Sequence, residues 1–159
     1  MRWAKVLLIG LAATLPMTNA PGIANATGPQ IEPFTDSGSF VDTSLCGFPI
    51  HVSWQEEGTV YQWFDADGNL VLLKRHEVFS EVARANGKVA TGVDRQNFVN
   101  AQKGDYVFTG SWIFFLPDGS HIQNAGRIRT KEDGQILSEH GLHPIAEGRL
   151  AELFCPPMS

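Results

Sequence analysis

Apolar and polar residues alternate along several segments of the chain, the pattern of half-buried β-strands. Phe48, Ile50, Val52 and Trp54 alternate with Pro49, His51 and Ser53, and residues 59–64 are β-branched and aromatic. The same reasoning predicts further strands over residues 70–82, 88–99, 106–116, 120–129 and 135–139. No segment shows a sustained 3.6-residue period, and residues 148–154 fit either a short helix or a final strand.

Short turns rich in Gly, Asp and Asn separate these segments. Asn86-Gly87 predicts a tight hairpin, because both residues tolerate positive φ. Other turns are predicted at residues 65–69, 103–105, 117–119 and 132–134. About eight strands joined in this way predict an all-β fold, a single antiparallel up-and-down β-barrel over residues 40–157. Closure into a barrel would remove exposed strand edges. An open two-sheet sandwich is the alternative.

The N-terminal residues 1–26 have the layout of a secretory signal peptide. Two basic residues precede an apolar run from Val6 to Leu15, and Ala24-Asn25-Ala26 offers small residues for cleavage, with Ala20 as a second choice. The run is shorter than the roughly twenty residues that cross a membrane. We therefore expect a secreted bacterial protein without a membrane span, with an uncleaved anchor as the alternative. Residues 27–39, rich in Gly, Pro, Ser and Thr, predict a flexible N-terminal arm.

Composition narrows the partners that the protein is expected to have. The formal charge is −5, and residues 1–26 hold two of the 12 basic residues and no acid, so the remainder carries −7. An acidic chain with scattered basic residues argues against nucleic acid and anionic lipid as partners. The oligomeric state is left open.

The chain has two cysteines, Cys46 and Cys155, which lie 109 positions apart. An exported protein permits their oxidation, so we predict a disulfide between them. Closing a loop of ~100 residues contributes up to about 4–5 kcal/mol in the chain-entropy account. Two buried free thiols are the alternative.

A set of short landmarks resembles a group of short exported actinobacterial proteins of unknown function, over roughly residues 40–156. The landmarks are Cys46-Gly47-Phe48, Phe64-x-x-Asp67-Gly68-Asn69, Asn86-Gly87-Lys88, Asn124-Ala125-Gly126-Arg127-Ile128, Asp133-Gly134, Gly141-Leu142-His143-Pro144 and Leu153-Phe154-Cys155. The resemblance implies an architecture similar to the barrel of allene oxide cyclases and dirigent proteins. No catalytic motif of either family matches residue by residue, so the resemblance implies no activity.

Motifs for metal, phosphate or nucleophilic chemistry are weak. His140 and His143 lie three residues apart beside Glu139, but Gly141 and Pro144 disfavour the helix that would bring them together. The chain has no Gly-x-Ser-x-Gly elbow and no phosphate-binding loop. We therefore expect no metal and no cofactor, and we assign no catalytic residue.

The strand over residues 70–82 offers two faces, and the sequence does not decide between them. One face carries Leu70, Leu72, Lys74, His76, Val78, Ser80 and Val82; the other carries Val71, Leu73, Arg75, Glu77, Phe79 and Glu81. We expect the first face to point inward, because it places fewer charges inside. His76 would then lie among apolar residues, as a core histidine or as a group that orients a ligand.

The neighbouring strands supply the other candidate ligand-binding residues. In residues 120–129, the face with Ile122, Asn124, Gly126 and Ile128 is expected to point inward, with Arg127 and Arg129 outside. Tyr106, Phe108, Trp112 and Phe114 form an aromatic stripe on one strand. Such a stripe either fills the core or shapes an apolar pocket.

Three functions are consistent with this sequence. The leading hypothesis is a secreted, non-catalytic binding module for a small apolar ligand, contacted by His76, Asn124, Trp112 and Phe108. The first alternative is an isomerase or cyclase that acts on a hydrophobic substrate inside the barrel. The second alternative is a cell-surface or structural protein that contacts another protein.

Overall fold

A computed structural model describes residues 28–101 and 105–159, and most of these residues are in β-strands. The predicted signal peptide, residues 1–26, lies outside the described residues, and so do residues 103 and 104 of the turn predicted at 103–105. The elements are β1 (Gln30–Asp42), β2 (Ile50–Phe64), β3 (Leu70–Ala85), β4 (Lys88–Ala101), β5 (Asp105–Phe115), β6 (His121–Lys131), β7 (Ile136–Leu142) and α1 (Leu150–Met158). In the segment 148–154, which fitted either a helix or a strand, residues 150–154 belong to α1.

The seven strands form one antiparallel sheet in the order β1-β2-β3-β4-β5-β6-β7. Each strand pairs with the next along the chain, so the predicted antiparallel meander is confirmed, with seven strands in place of about eight. The hairpin at Asn86-Gly87 has the expected left-handed backbone, with φ of 51° and 75°. Within the described residues the sheet is not closed, because β1 and β7 are its two edges. The barrel is therefore not confirmed.

The prediction of a flexible arm over residues 27–39 is wrong from Gln30 onward, because the chain forms β1 there. β1 pairs with β2 along its whole length, from Gln30↔Gln62 to Asp42↔Ile50. Its composition is poor in apolar residues because most of its side chains are exposed at the sheet edge. Pro33 fits this position, since a proline on an edge strand removes no hydrogen bond from the sheet interior.

Register and burial define two faces of the sheet. One face, here called the buried face, carries the even-numbered residues of β1, β2, β4, β5 and β6 and the odd-numbered residues of β3. It includes the fully or nearly buried Ile50, Val52, Ala83, Ala90 and Phe114. The opposite face is called the outer face.

α1 covers one end of the buried face. Leu150, Phe154 and Met158 recur every four residues, so they share one side of the helix, and all three are buried. They join the apolar core of the sheet, where Phe154 contacts Phe114 edge to face at 5.3 Å between ring centroids. We call this region the helix-covered end; it comprises Ile50, Val52, Ala83, Ala85, Ala90, Phe114, Leu116, Ile122, Leu150, Phe154 and Met158.

The predicted disulfide joins Cys46, in the β1–β2 connection, to Cys155 in α1. The two Cα atoms lie 5.3 Å apart. The bond therefore holds the helix against the start of the sheet. A disulfide of this kind is compatible with an extracellular protein.

No helix in residues 28–101 and 105–159 has both the length and the apolar character needed to span a membrane.

Candidate functional site

Polar side chains occupy the middle of the buried face, one step away from the helix-covered end. Strand register places Glu56 opposite Phe79, Phe79 opposite Asp94, and Asp94 opposite Trp112. Side chains directly opposite each other on one face of antiparallel strands are close enough to interact. β2, β3, β4 and β5 thus bring groups that are far apart in sequence into one row.

Four carboxyl groups lie in this region, and we call them the acidic cluster: Glu56, Glu77, Glu81 and Asp94. Glu56 is 6% exposed and Asp94 is 3% exposed. Arg75 partly neutralises the cluster, since its guanidinium pairs with the carboxylates of both Glu56 and Glu77. The same guanidinium lies over the Phe34 ring, 4.2 Å from its centroid.

Glu81 is held by the neighbouring strands. The Trp112 indole Nε1–H donates to Glu81 Oε1 at 2.7 Å. Gly92, directly opposite Glu81 on β4, leaves room for the carboxyl group, because a Cβ there would collide with the Glu81 side chain and the Phe114 ring. A larger residue at position 92 would therefore displace Glu81 from the indole.

Among the described residues, the carboxyl group of Asp94 does not have a hydrogen-bond partner for each of its oxygens. The Gln96 side-chain amide donates to its Oδ2, and the Arg95 backbone N–H approaches the carboxyl group closely enough to lower its pKa. The buried Oδ1 still has no hydrogen-bond partner within the described residues. A buried acceptor without a partner is costly, and each such group needs a structural or functional explanation.

Burial changes the acidity of three members of the acidic cluster. Desolvation raises the pKa of Glu77 to about 8, with Arg75 opposing the rise and Glu56 and Asp94 adding to it. Desolvation raises the pKa of Glu81 to about 7, against the lowering effect of the Trp112 hydrogen bond. It also raises the pKa of Asp94 to about 6. These groups therefore exchange protons near neutral pH.

Aromatic rings flank the acidic cluster. Trp54 and Phe79 stack diagonally across β2 and β3 with 5.6 Å between their centroids, next to Glu56 and Glu81. On the side away from α1, Phe98 packs against Phe108 and Tyr106 at 5.1 and 5.4 Å. The carboxyl groups are thus set among apolar ring surfaces.

Asn124 lies opposite Trp112 and connects the row to a buried histidine. His143 is 2% exposed; its Nε2–H donates to the His140 carbonyl at 3.0 Å, and its Nδ1 lies 3.3 Å from the Asn124 side-chain amide. His143 is therefore a buried, hydrogen-bonded side chain and not part of an exposed loop. Within the described residues, no three His, Cys, Asp or Glu side chains are grouped as a metal site.

The structure brings three of the four predicted ligand-binding residues to the buried face. Trp112 and Asn124 are directly opposite each other, and Phe108 lies four residues before Trp112 on the same side of β5. The inward prediction for Asn124 and for the aromatic stripe is confirmed. Arg129 lies outside as predicted and pairs with Asp105.

The inward prediction for His76 is wrong. His76 is exposed on the outer face, where it hydrogen-bonds with Asn97 and its ring contacts the edge of Tyr61. Phe79, Glu77 and Glu81 share the buried face with Ala83 instead. The prediction failed because it assumed that the face with fewer formal charges is buried. On the buried face, Arg75 pairs with two carboxylates, and buried carboxyl groups take up protons, so this face carries less charge than its sequence suggests.

The sequence patterns did not predict the acidic cluster. One signal was present: Ala83 and Ala85 continue the parity of Glu77 and Glu81. Small apolar residues at the end of a strand suit close packing under another element, which here is α1. That pattern would have assigned the charged face of β3 to the interior.

The outer face offers a groove of about 480 Å³ across β1, β2 and β3. Six of its eight lining residues belong to that face, Thr35, Ser37, Gln55, Glu57, Val78 and Ser80, and the other two, Asp36 and Glu56, belong to the buried face. These side chains are mostly polar and exposed, and the groove lacks the apolar walls typical of a small-molecule site.

No protein-family model matches this chain, and the searches of curated proteins and of solved structures found no significant match.

Proposed function

We propose that this protein is a secreted binding module, which holds a small ligand against the middle of the buried face. The ligand would combine an apolar body with a group that donates hydrogen bonds. The observation that carries the proposal is the unpartnered Oδ1 of Asp94, on a side chain that is 3% exposed. A ligand donor at this oxygen would supply the missing hydrogen bond.

The surrounding side chains support an apolar ligand body. The stacked pair of Trp54 and Phe79 and the rings of Phe98 and Phe108 provide apolar surface on both sides of the acidic cluster. Small-molecule sites typically combine such surface with a few placed polar groups. Trp112 and Asn124 stay in this proposal as contact residues, and His76 does not.

A closed barrel belongs to the same proposal. All seven strands lie side by side in one meander, and barrel interiors hold side chains from one face of every strand. Pairing of β1 with β7 would close the sheet and remove both exposed edges. This architecture would be similar to that of allene oxide cyclases and dirigent proteins.

The indole of Trp112 provides a direct test, because its N–H is bonded to Glu81. In a ¹H–¹⁵N NMR titration, benzyl alcohol is expected to shift the Trp112 indole resonance saturably. Trp63, whose position in the register places it on the outer face, serves as the internal control. A shift confined to Trp63 and to residues of the outer groove would contradict the proposal, as would the absence of a shift with both benzyl alcohol and benzylamine.

An acid–base isomerase is the second candidate, and the pKa values favour it. Glu81, with a pKa raised to about 7, can both donate and accept a proton near neutral pH. An enzyme of this kind would exchange a C–H proton of its bound ligand with solvent. Deuterium uptake by a bound ligand, lost in Glu81→Gln but kept in Glu57→Gln, would favour the enzyme over the binding module.

A further inference from the structure

We propose that the ligand of this site is an organic cation, a primary ammonium or a guanidinium on an apolar body, held by the acidic cluster. This inference rests on the proposed function and specifies the chemistry of its ligand.

The first argument is charge. The cluster has four carboxyl groups, and within the described residues Arg75 is the basic side chain that pairs with it. Arg75 reaches Glu56 and Glu77, whereas Glu81 and Asp94 interact with uncharged donors, the side chains of Trp112 and Gln96 and the Arg95 backbone N–H. Buried carboxylates normally have a cationic partner. The side of the cluster near Glu81 and Asp94 therefore lacks a positive charge.

The second argument is the unsatisfied acceptor. Asp94 Oδ1 is buried and accepts no hydrogen bond from the described residues. An ammonium or guanidinium group donates several N–H bonds, and such charge-assisted bonds to carboxylate are roughly twice as strong as neutral ones. A neutral hydroxyl could fill the same acceptor, but it would leave the charge uncompensated.

The third argument is the aromatic surroundings. The stacked rings of Trp54 and Phe79 lie beside the cluster, and Phe34 already receives the Arg75 guanidinium at 4.2 Å. Aromatic faces attract cations through their quadrupoles, most strongly when water is excluded. Carboxylates together with ring faces suit an organic cation better than a bare metal ion, and the described residues form no metal-type grouping here.

The inference predicts that binding depends on pH. The charged groups that face the ligand are the Arg75 guanidinium and the carboxyls of Asp36, Glu56, Glu77, Glu81 and Asp94, with the His143 imidazole behind Asn124. The pKa values of Glu77, Glu81 and Asp94 are raised to about 8, 7 and 6, so these groups lose protons as pH rises through neutrality. A bound cation favours their ionised forms, so its affinity should rise with pH and its binding should release protons.

The test compares three ring compounds of similar shape on the oxidised protein: benzylamine, benzyl alcohol and benzoate. With the Trp112 indole resonance as the readout, benzylamine is expected to bind at least about tenfold more tightly than benzyl alcohol at pH 7.5. At pH 5.5, where benzylamine keeps its charge but the cluster is more protonated, the ratio should shrink severalfold. Benzoate should bind most weakly.

Variants sharpen the test. Asp94→Asn should weaken benzylamine about tenfold and change benzyl alcohol less than about threefold, whereas Glu57→Gln, on the outer face beside Glu56, should change neither. Equal binding of benzylamine and benzyl alcohol to the wild type would overturn the inference that the ligand is a cation, but it would leave the proposed function standing. Tightest binding of benzoate would also overturn it. No response of Trp112 to any compound would overturn both proposals. The wild-type comparison holds even if Asp94→Asn does not fold.

Discussion

The helix-covered end and the acidic cluster are adjacent parts of one sheet face, yet they are built differently. At the helix-covered end, Ala83, Ala90 and Phe114 pack against Phe154 and Met158, with apolar atoms on both sides. In the acidic cluster, Glu81 and Asp94 occupy the same face two or more residues further along the strands, where α1 contributes no residue to the core. The chain thus stabilises one end and places buried carboxyl groups in the middle.

This difference has a thermodynamic meaning. Burial of apolar surface at the helix-covered end stabilises the fold, whereas burial of carboxyl groups opposes it unless they are paired or protonated. Proteins tolerate such destabilising groups mostly where they serve a function. The comparison therefore supports the middle of the face, and not the end under α1, as the place where a ligand binds.

The largest expected effect tests the helix-covered end. Phe114 and Phe115 are neighbours on β5, but Phe114 is 3% exposed and Phe115 is 54% exposed. Phe114→Ala should reduce the free energy of unfolding by about 3–5 kcal/mol through lost burial and a cavity. Phe115→Ala should cost less than about 1 kcal/mol. Urea unfolding measures both, and equal losses would contradict the assignment of the two faces.

The disulfide should contribute the next largest effect. Cys46→Ala combined with Cys155→Ala should lower the free energy of unfolding by about 2–4 kcal/mol, because the bond closes a long loop in the unfolded chain. Wild-type protein under reducing conditions is the matched control and should lose a similar amount. A loss below about 1 kcal/mol would mean that packing of Phe154 and Met158 suffices to hold α1.

The acidic cluster should make stability depend on pH in an unusual direction. The folded-state pKa values of Glu77, Glu81 and Asp94 lie above their unfolded values. The folded protein therefore holds protons that the unfolded chain has lost, and stability falls as pH rises from about 5 to 8. We expect a decrease of at least about 2 kcal/mol across this window, since a difference of one pKa unit corresponds to about 1.4 kcal/mol. Glu81→Gln, which keeps an acceptor for the Trp112 indole, should flatten the profile.

Chemical denaturation at a series of pH values measures this profile, with Glu57→Gln as the control that should follow the wild type. Asp65 and Asp118 do not interfere, because hydrogen bonds lower their pKa values and their titration falls below this window. Stability that rises between pH 5 and 8 would show that the carboxyl groups are solvated and not buried.

The smallest effect is expected at His76. Because His76 is exposed on the outer face, His76→Ala should change the free energy of unfolding by less than about 0.5 kcal/mol. It should also leave the Trp112 response to benzylamine unchanged. A clear loss of binding in this variant would return His76 to the ligand site and contradict the face assignment of β3.

Much of the fold followed from local patterns. The period of two predicted the strands, Asn86-Gly87 predicted its hairpin, and the export context with two cysteines predicted the bond between Cys46 and Cys155. Parity on β5 and β6 placed Trp112 and Asn124 on the correct face. β1 was not predicted, because an exposed edge strand needs few apolar residues and its sequence therefore resembles that of a loop.

The sequence by itself determined the antiparallel meander, the hairpin at Asn86-Gly87 and the disulfide, because each depends on local backbone preferences or on a single pair of residues. Only the tertiary structure decided which face of β3 is buried, that residues 150–158 form a helix over one end of the sheet, and that four carboxyl groups meet in the middle of the buried face. The free energy of a buried charge depends on partners such as Arg75 and Trp112, which come from other positions of the chain and are adjacent only after folding.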